Sequence, residues 1–139
     1  MDIAKLLEAL ENDNNENIID STSQQIQESI SNILNEIELD ETTHESMMNK
    51  LENYRYIDDV SSLQSGAYIR WVSIKDPENM SLSQGALLCD TKFTDGGIAL
   101  VCKGFRQRHF RLNFDECLIF QRLSDQERVL LSAVDYLAK

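Results

Sequence analysis

The apolar positions of this chain change period near residue 54. Before that point they recur every three or four residues; after it they alternate or come in short runs. The first spacing marks one face of a helix, and the second marks a half-buried strand. Ile3, Leu6, Leu7 and Leu10 form a stripe behind Asp2, which is suited to cap a short helix. Asn12-Asp13-Asn14-Asn15-Glu16-Asn17 then offers nothing apolar to bury and reads as a linker. Ser21-Thr22-Ser23-Gln24 has the form of a capping box. Ile19, Ile26, Ile30, Ile33 and Ile37 follow in a heptad seam, with Leu34 beside it. A seam of about two to three heptads suits self-association or a partner helix. The same stripe also suits packing on a second helix of its own chain.

That second helix is expected from Thr42, where Thr42-Thr43-His44-Glu45 repeats the capping pattern ahead of Met47, Met48, Leu51 and Tyr54. The seven-residue register runs through Asp40 and His44, so polar residues interrupt the seam. A capping signal at the interruption favours a helical hairpin over one long helix.

Beyond Tyr54 the pattern becomes that of strands. Tyr54 to Gly66 reads as a connection, and Ala67 to Ile74 as a strand by its β-branched and aromatic content. Pro77 lies in a turn. Gly85 to Lys103 reads as a β-hairpin about Thr94-Asp95-Gly96-Gly97, whose residues tolerate positive φ. The second arm, Ile98 to Lys103, is apolar on both faces, as expected for a sheet covered on both sides or curled into a barrel. His109 to Phe114 and Cys117 to Arg122 supply two further strands. Ser124-Asp125-Gln126-Glu127 is a capping box before Val129, Leu130, Ala133, Val134 and Leu137. The expected fold is α+β: a helical arm over 1–54, then a five-stranded antiparallel SH3-like or OB-like barrel over 55–139 with a C-terminal helix.

Charge sharpens this division. The 139 residues carry a net charge of −11. Residues 1–54 hold two bases and thirteen acids, whereas residues 55–139 hold eleven of each. The imbalance therefore belongs to the arm. No apolar run approaches the roughly 18 residues of a membrane span, and the opening Met1-Asp2-Ile3-Ala4-Lys5 lacks the pattern of a secretory signal. Cys89, Cys102 and Cys117 form no Cys-x-x-Cys pair, and His44 and His109 lie far apart. Reduced, buried thiols in an intracellular compartment are expected, with no metal and no cofactor.

The phrases YRYIDDV, GAYIRWVSIKDPEN, GALLCDTKFTDGGIALVCK and ECLIFQRLSDQERVLLSAVDYL together resemble a group of small uncharacterised proteins of the nucleocytoplasmic large DNA viruses of algae and protists. The resemblance covers about residues 54–137 and rests on connected phrases, not on a functional motif. It implies an infected-cell or virion setting, and it brings no activity and no site residue with it.

Chemistry concentrates in Lys103-Gly104-Phe105-Arg106-Gln107-Arg108-His109-Phe110-Arg111. Lys103, Arg106, Arg108, His109 and Arg111 suit phosphate oxygens, and an exposed Phe105 would stack on an unpaired base. Phe110, Leu112 and Phe114 are expected to face the core. Trp71 shares a strand face with Ile69 and is read as core, which leaves Tyr68 and Arg70 on the opposite face as candidates for binding a partner. Catalysis finds no support: Asp58-Asp59 and Asp115-Glu116 are adjacent pairs that point apart in a strand, and no nucleophile motif, phosphate-cradling glycine loop or HExxH is present. Three functions follow as expectations. The first is a non-enzymatic interaction module, self-associating or binding a protein through the arm and presenting the barrel to a second macromolecule. The second is a single-stranded nucleic-acid-binding barrel using the 103–111 loop, tempered by the acidic arm. The third is a virion structural component.

Overall fold

The computed structural model describes residues 2–18 and 21–138. Six strands form one antiparallel sheet: β1 (Tyr54–Ile57), β2 (Tyr68–Ser73), β3 (Ala86–Thr94), β4 (Gly97–Lys103), β5 (His109–Asn113) and β6 (Cys117–Arg122). Their order is β1-β6-β2-β3-β4-β5. The strand at Tyr54–Ile57 replaces the expected connection, because Tyr54 to Ile57 pair with Arg122 to Ile119 of the last strand. The sheet is also open, with β1 and β5 as its two edges, so the closed five-stranded barrel is not what forms. It nevertheless curls. The rings of Trp71 on β2 and Phe110 on β5 lie 5.6 Å apart, although two strands separate them in the sheet.

The curl encloses one core on the inner face. Ile57, Ile69, Ala86, Leu88, Leu100, Cys102 and Ile119 are buried there, with Trp71, Phe110, Leu112 and Phe114 packed around them. Burial of such side chains contributes about 1.5–3 kcal/mol each. The hairpin between β3 and β4 turns where expected, through Asp95 and Gly96, with Thr94 opposite Gly97. Gly97 takes φ +121, which an L side chain rarely adopts. Between Leu88 and Asp90 the register of β3 shifts, leaving Cys89 without a partner on β4.

Four α-helices complete the molecule: α1 (Ile3–Glu11), α2 (Ser23–Glu36), α3 (Glu41–Lys50) and α4 (Asp125–Leu137). Each has a side chain accepting a backbone N–H at its start. Asp2 and Ser124 do this as expected, while the other two caps sit one to two residues from the expected positions, at Thr22 and Asp40. The expected helical hairpin forms, with Glu38 in the left-handed region between α2 and α3. The polar run after α1 is not a bare linker but a 3-10 helix at Asp13–Ile18. Asn15 is buried within it, and its Nδ2 donates to the Ala9 carbonyl and to Gln126 Oε1. One local hydrogen bond and one to the distant Gln126 thus hold a segment that has few apolar side chains.

The isoleucine stripe packs on the chain's own sheet. Ile30 and Leu34 of α2, with Met47 and Leu51, cover Val72, Leu118 and Phe120 on the outer face. Ile33 and Ile37 are half-buried against the same cluster. Ile26 is buried with Ala9, Ile18, Leu123, Leu130 and Leu131, where α1 and α4 meet. Ile19 lies outside the described residues. Of the two uses open to the stripe, packing within the chain is the one seen, on Met47 and Leu51 and on the apolar surface of the sheet, and among the described residues no coiled coil is seen. The break at residue 54 marks a change of charge and of period, and the core runs across it. Arg55 of β1 ties the two sides further: its Nε lies 3.2 Å from Glu127 Oε2 on α4, without the alignment of a hydrogen bond, and its Nη2 donates to the Ser62 carbonyl.

Candidate nucleic-acid interface

Strand alternation divides the charged residues of β3, β4 and β5 from the apolar ones. Leu88, Leu100, Cys102, Phe110 and Leu112 point inward, so their neighbours in sequence point outward. The outward set pairs in rows across the three strands. Leu87 lies opposite Lys103, which lies opposite His109; Asp90 lies opposite Val101, which lies opposite Arg111; Lys92 lies opposite Ala99, which lies opposite Asn113. The first row extends to Tyr68, opposite Leu87 on β2. At the far edge of the sheet Tyr54 lies opposite Arg122. Burial raises the Tyr54 phenol above its ordinary range, although the Arg70 and Arg122 charges pull against it.

The turn from β4 to β5 adds the remaining cations. Gly104 N–H donates to the Arg108 carbonyl at 2.8 Å, closing a loop that holds Phe105, Arg106 and Gln107. Arg106 and Gln107 both take φ of 61°, an uncommon state for side chains other than glycine, asparagine or aspartate. This backbone leaves Phe105 86 % exposed, with the Arg106 guanidinium 5.5 Å from its ring centre. Among the described residues the ion pairs are Arg55–Glu127 and Lys75–Glu116. None involves Lys103, Arg106, Arg108, His109 or Arg111, so this set faces solvent without a carboxylate at contact distance.

Two of the expected groups thus meet. Tyr68 stands in the same row as Lys103, and a groove of about 570 Å³ between them reaches Phe105. Arg70 differs, because it is half-buried and its Nε donates to the Ser83 carbonyl at 2.8 Å. The Tyr68 hydroxyl donates to the Gln84 carbonyl, which fixes the ring and leaves it 38 % exposed. Phe110, Leu112, Phe114 and Trp71 take the core positions expected of them. Leu87, Gln84 and Lys92 belong to this surface but were not expected there. Their signal was the pairing of β2, β3 and β4, which no residue spacing within one strand reveals.

One carboxylate of each adjacent pair serves local structure: Asp59 accepts from the Ser61 N–H, and Glu116 pairs with Lys75. The Asp59 hydrogen bonds hold its carboxyl below the usual range. Burial pushes the Cys102 thiol up to about 11. Among the described residues no three metal-ligating side chains converge, and no helix is long and apolar enough to cross a membrane. No family model matches the chain, and no curated protein or solved structure matches it.

Proposed function

We propose that this protein binds single-stranded nucleic acid on the outer face of β3, β4 and β5 and on the turn between β4 and β5. One observation carries the reading. Lys103, His109 and Arg111 lie in register on an uncovered sheet face, beside the exposed Phe105 and the cations Arg106 and Arg108, and none of them sits in an ion pair among the described residues. A flat face of cations beside aromatic rings tracks a phosphate backbone while the rings take the bases. The net charge of −11 opposes long-range attraction. Its excess of acids lies in residues 1–54, however, and only Asp90 adds an acid to the three outward rows.

The test is fluorescence anisotropy of labelled single-stranded DNA and RNA with the full chain, between about 50 and 200 mM salt. The expected result is binding that weakens with salt, and a log–log salt slope reduced by about two when Arg106, Arg108 and Arg111 are all replaced by alanine. Binding of equal strength and slope in the triple variant would reject the reading. The full chain is required, because a 55–139 fragment would strip Ile30, Leu34, Met47 and Leu51 from Val72, Leu118 and Phe120.

A second reading, a protein-interaction module, is favoured by a different surface. Asn12 at the end of α1 donates to Gln126 at the start of α4, so the two helices run antiparallel. Ile3, Leu7 and Leu10 stay exposed on α1, as do Tyr136 and Leu137 at the end of α4. Exposed apolar side chains grouped in this way suit a protein contact. Light scattering of wild-type and Leu7→Asp protein tests it for self-association: a wild-type mass above the monomer that falls in the variant supports it, and an unchanged monomer mass excludes it.

A further inference from the structure

We infer that the groove between Tyr68 and Phe105 is a slot for one unpaired nucleobase of the bound strand, an inference that rests on the function proposed above. The groove encloses about 570 Å³, within the range of small-ligand sites. Its lining combines two aromatic side chains, Tyr68 and Phe105, with an apolar stretch at Ala86 and Leu87 and the ammonium of Lys103. Flat aromatic faces and an apolar floor suit a planar ring, and a cation at the rim suits the phosphate attached to it.

The two rings are held in different ways. Tyr68 is fixed by its bond to the Gln84 carbonyl and by close approach to Gly85, where a Cβ would lie 2.5 Å from the Tyr68 ring. Gly85 has φ +101, so both its backbone state and its lack of a side chain keep the ring seated. Phe105 projects from the left-handed turn at Arg106 and Gln107 and is the most exposed large apolar residue described. Left-handed residues other than glycine are strained, and such strain collects at sites where it positions a group. Here it holds an aromatic ring in water beside a groove of matching chemistry. Among the described residues the Gln84 side-chain amide has no partner, and it lines the same groove with a donor and an acceptor free for a base edge. The cations around the slot argue for a ring carried on a polyanion over an aromatic side chain of a protein. Arg106 adjoins Phe105, Arg108 closes the turn just before β5, and Arg111 lies on β5.

The experiment compares a labelled ten-nucleotide oligothymidylate with an abasic oligonucleotide of the same length and charge, each titrated with the full chain. Base stacking is worth about 1–3 kcal/mol per base, so the abasic strand should bind about tenfold or more weakly. Phe105→Ala should lose a similar factor for oligothymidylate and leave the abasic strand unaffected. Its circular dichroism and urea midpoint should match wild type, since the side chain is exposed. Tyr68→Leu provides a second variant with the same expectation. Equal binding of the two strands, with no effect of Phe105→Ala, would overturn the slot and leave the phosphate-tracking reading intact. Displacement of oligothymidylate by polyglutamate at matched charge would identify a general polyanion surface and overturn the slot too. Failure of both strands to bind would overturn this inference together with the function it rests on.

Discussion

On the outer face of the sheet, β6 and β2 carry Leu118, Phe120 and Val72 and lie under α2 and α3, whereas β3, β4 and β5 carry Leu87, Lys92, Lys103, His109 and Arg111 and face solvent. The inner faces of both halves are largely apolar, although that of β1 and β6 also buries Arg55 and Gln121 beside Ile57 and Ile119. Half of the outer face is therefore covered by the chain's own helices, and half is bare. The bare half also shows how a strand apolar on both faces stands in an open sheet. Ala99 and Val101 point outward from β4, each flanked by longer side chains: Lys92 and Asn113 beside Ala99, Asp90 and Arg111 beside Val101. Stems of lysine and arginine cover apolar surface while their charges stay in water.

Substitutions should separate the halves by their cost. The largest loss is expected for Glu127→Gln, which removes the charge facing Arg55; leaving a buried charge unpaired costs about 3–5 kcal/mol. Leu34→Ala, under the helix-covered half, should cost about 2–5 kcal/mol. Arg111→Ala on the bare half should stay within about 0.5 kcal/mol. Urea midpoints at constant slope measure all three. Equal losses at Leu34 and Arg111 would break the contrast, because the bare half would then be structural.

A smaller effect concerns pH. The Cys102 thiol is buried in the inner core and is raised from 9.0 to about 11, chiefly by burial. The thiol of Cys117 and the phenols of Tyr54 and Tyr56 are raised for the same reason. A raised acid favours the folded state while it stays neutral. That contribution is complete below the unfolded value of 9.0 and is lost as pH climbs toward about 11. Stability should therefore fall across this alkaline window, and Cys102→Ala should flatten the fall while lowering stability at neutral pH. A fall just as steep in the variant would assign it to other groups. Salt-dependent binding on the bare half should stay unchanged by Cys102→Ala, since that residue points inward.

Much of this division can be read in the sequence, and its limits are physical. The facing of Ile69 and Trp71 against Tyr68 and Arg70 follows from alternation alone and is observed. So do the hairpin about Asp95 and Gly96 and the capping box at Ser124 and Glu127. These features are local, and spacing encodes them. Three others depend on partners distant in sequence. Tyr54–Ile57 becomes a strand only because Cys117–Arg122 lies beside it. The isoleucine stripe of α2 satisfies a heptad and a sheet face equally, and only the presence of Val72, Leu118 and Phe120 decides between them. At the candidate site, the basic run 103–111 and Tyr68 are each visible, but the row that joins Tyr68, Leu87 and Lys103 arises from strand pairing. The bulge at Cys89 shifts that register, and nothing in the local spacing announces it.

The smallest expected effect gives the sharpest comparison, because each half contains a left-handed residue that is not glycine. Glu38 takes φ 54 just after α2, on the covered half, and Gln107 takes φ 61 in the turn of the bare half. Glycine is the usual occupant just past a helix end, and either site should tolerate it. Relief of the left-handed cost, offset by the greater freedom of glycine when unfolded, should give a gain of roughly 0.5–1 kcal/mol at each. Glu38→Gly should leave nucleic-acid binding unchanged, since that residue only joins two helices that pack on the core. Gln107→Gly should gain the same stability yet weaken binding, because the freed turn no longer holds Phe105 beside the groove. Strain that merely survives where selection is weak would produce equal stabilisation and no difference in binding. Strain that positions Phe105 produces the split, and anisotropy measured on the two variants beside their urea midpoints distinguishes the cases.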